Sequence, residues 1–160
     1  MDITSLTDID SCISKLTDPE WRRVYIHGPA DELEIIANYT RKVLIALLED
    51  SMPGKDTEGA CAYATLLLKT MLHSHTEFTA TPKGGDGQGD GGYFGATGGH
   101  GHYWLEVDTP AGAYVVDITA DQFGANPVVV VPATNPQYVP GNQQLVDEQF
   151  IGFTQSIILS

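Results

Sequence analysis

A cysteine, a histidine and an aspartate stand at Cys61, His102 and Asp117, separated by 41 and 15 positions. Together these side chains can build an activated sulfur nucleophile. The thiolate is the attacking species, so the ordinary thiol pKa of about 8.5 must be lowered. The N-terminus of a helix and a neighbouring imidazolium both do that. Cys61 lies in EGACAYATLLLKTML, where apolar residues recur at helical spacing, and the sulfur falls in the first turn. Gly59 and Ala60 leave its approach open and let a backbone amide face a developing oxyanion. Taken alone, Cys61 reads better as a buried structural cysteine.

Its two partners change that balance. They sit in HGHYWLEVDTPAGAYVVDITADQFG, which predicts strands over His102–Val107 and Tyr114–Thr119 with Pro110 and Gly112 in the turn. If Val107 pairs with Tyr114, His102 sits opposite Thr119 and diagonal to Asp117, on one face with Trp104, Glu106 and Val115. A slip of two residues keeps the pair on that face and a slip of one separates them. An aspartate inside YVVDIT needs a partner, and a histidine on the next strand is the nearest one. The carboxylate would orient the ring while the other ring nitrogen faces sulfur.

These residues resemble the transglutaminase-like branch of papain-fold cysteine enzymes. That family shows Gly-x-Cys opening a helix, then His-x-Trp-x-Glu-Val on one strand and Asp-x-Thr on the next. Here the matches are Gly59-Ala60-Cys61, His102-Tyr103-Trp104-Leu105-Glu106-Val107 and Asp117-Ile118-Thr119. The resemblance covers roughly residues 55–125. It implies an α+β core, a helix packed on an antiparallel sheet, and acyl transfer through a thioester, as in peptidases, glutamine deamidases and cross-linking transferases. Arylamine acetyltransferases are similar in order and gaps, although Trp104 after His102 speaks for the first branch.

The elements that must position these residues follow from periodicity. Ile3, Leu6, Ile9, Ile13 and Leu16 predict a short amphipathic helix with Cys12 beside its stripe. Asp18-Pro19 opens a turn or short helix carrying Trp21, Arg22 and Arg23, the arginines pairing with local carboxylates. A long helix spans residues 30–50, with Asp31, Glu32 and Glu34 in its first turn. Asp56 or Thr57 can cap the next helix, which runs to about Leu72. Glu77–Thr81 alternates like a strand. Residues 83–101 hold 10 glycines in 19 positions and read as a mobile flap, containing His100, that ends at His102. After the hairpin come a buried strand in PVVVVP, an irregular stretch over residues 133–144, and one or two further strands in LVDEQFIGFTQSIILS.

The fold class is therefore α+β, N-terminal helices on an antiparallel sheet. The chain reads as one domain, with helices over 1–54, a core over 55–125 and C-terminal strands over 126–160. A net charge of −13 excludes nucleic acid as a partner and is compatible with a basic peptide or protein substrate, or simply with solubility. No run of residues is apolar enough for a membrane span. The acidic N-terminus has no secretory character, which predicts a cytoplasmic protein unless a specialised export machine reads another signal.

No cofactor or metal is expected. His100-Gly101-His102 with Asp86 and Asp90 could bind zinc or nickel, and GGDGQGDGG hints at a calcium turn, but only as one imperfect copy. His73 and His75 read as groups at a helix end. Gln122 is a candidate oxyanion donor, with a turn or capping role competing. The reading is a thiol-dependent amidase or acyltransferase acting through Cys61, His102 and Asp117. A non-catalytic peptide-binding module with the same fold is the alternative.

Overall fold

A computed structural model describes residues 9–51 and 60–159. Three helices open it: α1 (Ile9–Lys15), α2 (Pro19–Tyr25) and α3 (Pro29–Ser51). Ile3 and Leu6, expected to extend the first stripe, lie outside the described residues. Cys12 is buried in the core and not merely beside the stripe. Asp18 starts α2 by accepting hydrogen bonds from the Glu20 and Trp21 amides at 3.0 and 3.4 Å, with Pro19 in the first turn, where a missing N–H costs nothing. The adjacent arginines do pair locally, Arg22 with Glu32 and Arg23 with Glu20. In α3, Leu33, Ile36, Ala37, Thr40, Leu44 and Leu48 recur at three- and four-residue spacing and are all buried. Thr40 is tolerated there because its hydroxyl donates to the Ile36 carbonyl at 2.7 Å.

α4 (Cys61–His75) begins at the cysteine, with Ala60 in the N-cap position and no side chain capping it. Asp56 and Thr57, the expected caps, fall outside the described residues. Its buried face is Ala64, Thr65, Leu68 and Leu72, and His73 and His75 lie exposed in the last turn. β1 (Thr79–Gly85), β4 (His102–Thr109), β5 (Gly112–Asp117) and β6 (Val129–Pro132) form an antiparallel sheet in the order β1-β4-β5-β6. Val107 faces Tyr114, one of the registers that the hairpin pattern leaves open. Alternation then divides the sheet into two sides. Leu105, Val107, Val116 and Ile118 join the helical core, while Trp104 and Val115 join a second cluster with Tyr93 and Tyr138. The architecture is α+β, with helices against an antiparallel sheet. Among the described residues no helix is long and apolar enough to cross a membrane.

Three expectations are corrected. The glycine-rich segment is not a loose flap. It forms β2 (Gly92–Gly95) and β3 (Gly98–His100), which pair with each other and, through β2, with β7 (Tyr138–Val139). Glycine is required there because backbones approach too closely for a side chain. Gly92 has φ 124°, and a Cβ on it would lie 2.6 Å from both the Gly87 nitrogen and the His100 carbonyl oxygen. Gly92→Ala is therefore expected to cost more than about 1 kcal/mol, visible as a lowered urea midpoint.

The C-terminal segment is helical and not stranded: α5 runs Gln143–Leu159. Its β-branched and aromatic residues suggested strands, but the decisive signals are local. The Asn142 side chain accepts from the Leu145 amide at 3.2 Å, and Val146 and Phe150, four apart, are buried. Gln143–Asp147 and Gln144–Glu148 bond at the same spacing. Finally, the strand in PVVVVP is the half-buried edge of the sheet, where Pro132 lacks no ladder bond that an interior strand would need. The stretch over residues 133–144 is irregular apart from β7 and the start of α5.

Candidate active site

The hairpin brings His102 and Asp117 into direct contact. His102 Nε2 lies 2.8 Å from Asp117 Oδ2, and both residues are 2% exposed. β4 begins at His102 and β5 ends at Asp117, so the pair sits at one end of the sheet. Cys61, in the first turn of α4, opens toward the same end. It shares with His102 a cleft of about 370 Å³ whose other described lining residues include Gly85, Asp86, Asp90, Tyr103, Leu145 and Gln149. The three residues singled out in the sequence thus converge, although Gly59 of the Gly-x-Cys motif lies outside the described residues.

Asp117 is held from several sides. Its Oδ1 accepts the Thr119 amide at 3.0 Å, with the Thr119 hydroxyl 3.5 Å away. Its Oδ2 accepts the Tyr138 hydroxyl at 2.8 Å as well as His102. The carboxylate is fully satisfied although buried, as a charge in that position must be. Burial and then the Asp117 charge push the Tyr138 hydroxyl far above its ordinary pKa, which keeps it a donor.

For His102, burial by itself favours the neutral ring. The charge and hydrogen bond of Asp117, then the hydrogen bond and charge of Cys61, outweigh it and raise the imidazole from 6.5 to about 9. The folded chain therefore keeps a proton that an unfolded chain releases near 6.5. Stability from this pairing is full below 6.5 and is lost as pH rises through about 9. Thermal unfolding followed from about pH 6 to 10 should show that decline, and a His102→Gln variant should not.

Around the ring, Phe123 stands edge-on at 4.9 Å and Tyr93 at 6.2 Å between centroids. Gln122 approaches His102 Nδ1, its Nε2 at 3.4 Å. Gln122 and Phe123 belong to the 3-10 turn Ala120–Phe123. Arg41 of α3 clamps that turn, reaching both carboxylate oxygens of Asp121 at 2.8 and 2.9 Å and the Ile118 carbonyl at 2.7 Å.

His100, expected to be unheld, is fixed: its Nε2 lies 2.8 Å from Thr97 Oγ1 and its ring stacks on Phe123 at 4.4 Å. Asp86 accepts from the Gln88 and Asp90 amides and serves a local turn, whereas Asp90 accepts from the Asn142 amide, 52 residues on, and ties the glycine-rich segment to the start of α5. Among the described residues no group of three or more His, Cys, Asp or Glu is arranged to hold a metal ion.

Sequence reasoning missed Tyr138 and the aromatic wall of Tyr93 and Phe123. Tyr138 sits in NPQYVP, a stretch without periodicity, and reaches Asp117 across two sheets. The available signal was chemical: one histidine does not satisfy both oxygens of a buried carboxylate.

Comparison with known proteins returned no matching family model, no matching curated protein and no matching solved structure.

Proposed function

We propose that this chain is a thiol-dependent acyl-transfer enzyme of the transglutaminase-like, papain-fold kind, acting on an amide in a peptide or at a glutamine side chain. One observation carries the reading: a buried His102–Asp117 pair at 2.8 Å that shares a cleft with a cysteine in the first turn of a helix. A structural hydrogen bond has no need of a thiol beside it.

In this reading Asp117 holds Nε2, which leaves Nδ1 to take the Cys61 proton. Sulfur then attacks the substrate carbonyl. The N–H groups of the first turn of α4 have no intrahelical acceptors and can stabilise the oxyanion. The imidazolium next gives its proton to the departing amine or ammonia as the C–N bond breaks, leaving a thioester. Water or an acceptor amine attacks the thioester, His102 takes its proton, and the thiol returns. Asp86 and Asp90 at the cleft suit a substrate with basic side chains, in keeping with the net charge of −13. Two free cysteines and no disulfide fit a reducing, cytoplasmic setting.

The test is turnover of a glutamine-containing peptide library, scored for ammonia release and for chain cleavage. Ammonia without cleavage identifies a deamidase, and cleavage identifies a peptidase. Incorporation of an added amine identifies a transferase. Absence of all three products, with no thioester adduct on Cys61 by mass spectrometry, would overturn the reading in favour of a binding module.

A further inference from the structure

Apart from His102, the partners of the Asp117 carboxylate differ in one respect. Thr119 is two residues away and moves with Asp117, whereas Tyr138 belongs to the other sheet. The tyrosine is itself immobilised. It pairs with Tyr93 across β2 and β7, packs edge-on against Trp104 and Tyr93 with centroids at 5.2 Å, and is 4% exposed. The Phe94 amide bonds the Gln137 carbonyl at 2.8 Å and fixes the backbone beside it. Packing alone would be served by phenylalanine, so the buried hydroxyl acts through its single acceptor, Asp117.

We propose that Tyr138 is a positioning residue: its hydroxyl fixes the rotation of the Asp117 carboxylate and moderates that carboxylate's hold on His102. The glycine-rich segment then has a definite task. Its strands form the sheet on which Tyr138 is seated. Only the catalytic consequence of this role rests on the acyl-transfer reading; the effect on His102 does not.

The groups that face the pair are Cys61 from α4, Tyr93 from β2, Tyr138 from β7, Thr119 after β5 and Gln122 from the 3-10 turn. Of these, Tyr138 donates to the same oxygen as His102. Removing that donor leaves the carboxylate more basic toward the imidazole, so the His102 proton is held more tightly.

The experiment is a titration of histidine ring nitrogens by NMR on the full chain, comparing wild type, Tyr138→Phe and a protein carrying 3-fluorotyrosine at position 138. The His102 midpoint, about 9 in the wild type, should move up in Tyr138→Phe. It should move down with the fluorinated phenol, a stronger donor of nearly the same shape. Where turnover is measured, Tyr138→Phe should lower kcat roughly tenfold and leave KM unchanged. A His102 midpoint unmoved in both proteins overturns the proposal, even if kcat or Tm falls, because a packing role alone predicts that outcome. Should Tyr138→Phe fail to fold, the fluorotyrosine protein decides alone. Failure of the wild type to turn over any peptide would count against the acyl-transfer reading and leave the titration result standing.

Discussion

Cys61→Ala is expected to abolish turnover while leaving the fold in place. The residue occupies the first position of α4, half-buried, with Ala60 before it and no side-chain cap to disturb. Alanine is the best helix former, and the change removes one sulfur from the rim of a cleft, not from the packed interior. The stability change should stay within about 1 kcal/mol by urea unfolding. Residual turnover above about a tenth of wild type would mean that sulfur does not form the covalent intermediate. A second readout follows from the electrostatics. Cys61 is one of the groups that hold the His102 proton, so its loss should lower the His102 titration midpoint.

Asp117→Asn should lose a factor of about 10²–10⁴ in rate, because an amide cannot stabilise the imidazolium and favours the wrong ring tautomer. The hydrogen-bond pattern adds a stability cost that the sequence did not indicate. Asp117 accepts from the Thr119 amide, the Tyr138 hydroxyl and His102. An asparagine has only one acceptor oxygen, so its NH₂ group must face at least one of these donors inside the core. The variant should therefore melt earlier and also turn over slowly well below its melting temperature. Normal turnover in the cold, with only an early melt, would reduce Asp117 to a structural role and leave Cys61 and His102 as a dyad.

Much of the scaffold was legible because its signals are local. Asp18-Pro19 announces α2, the three- and four-residue spacing in α3 announces its buried face, and the hairpin pattern allowed the register that joins His102 to Asp117 while leaving slipped pairings open. What failed depended on partners distant in the chain. Several glycines of residues 83–101, among them Gly85, Gly87, Gly91 and Gly92, lack side chains because β1, β2, β3 and the segment around Gly141 press together, a fact no window of sequence contains. The chemistry of α5 residues pointed to strands because its packing stripe is narrow, only Val146 and Phe150 being buried among its described side chains. Tyr138 was invisible for the same reason as the glycines: its meaning lies in Asp117, 21 residues earlier and in the other sheet.

The central claim is that His102 activates Cys61, and the rate at which iodoacetamide alkylates that sulfur tests it most directly. Cys12 is buried, 5% exposed, so slow labelling there proves nothing about activation, and the proper control is the same cysteine without its histidine. At about pH 6.5, wild-type Cys61 should react roughly tenfold or more faster than Cys61 in His102→Gln, with both proteins folded by circular dichroism. Equal rates in the two proteins would contradict the account, since the imidazole would then be a neighbour of the thiol and nothing more.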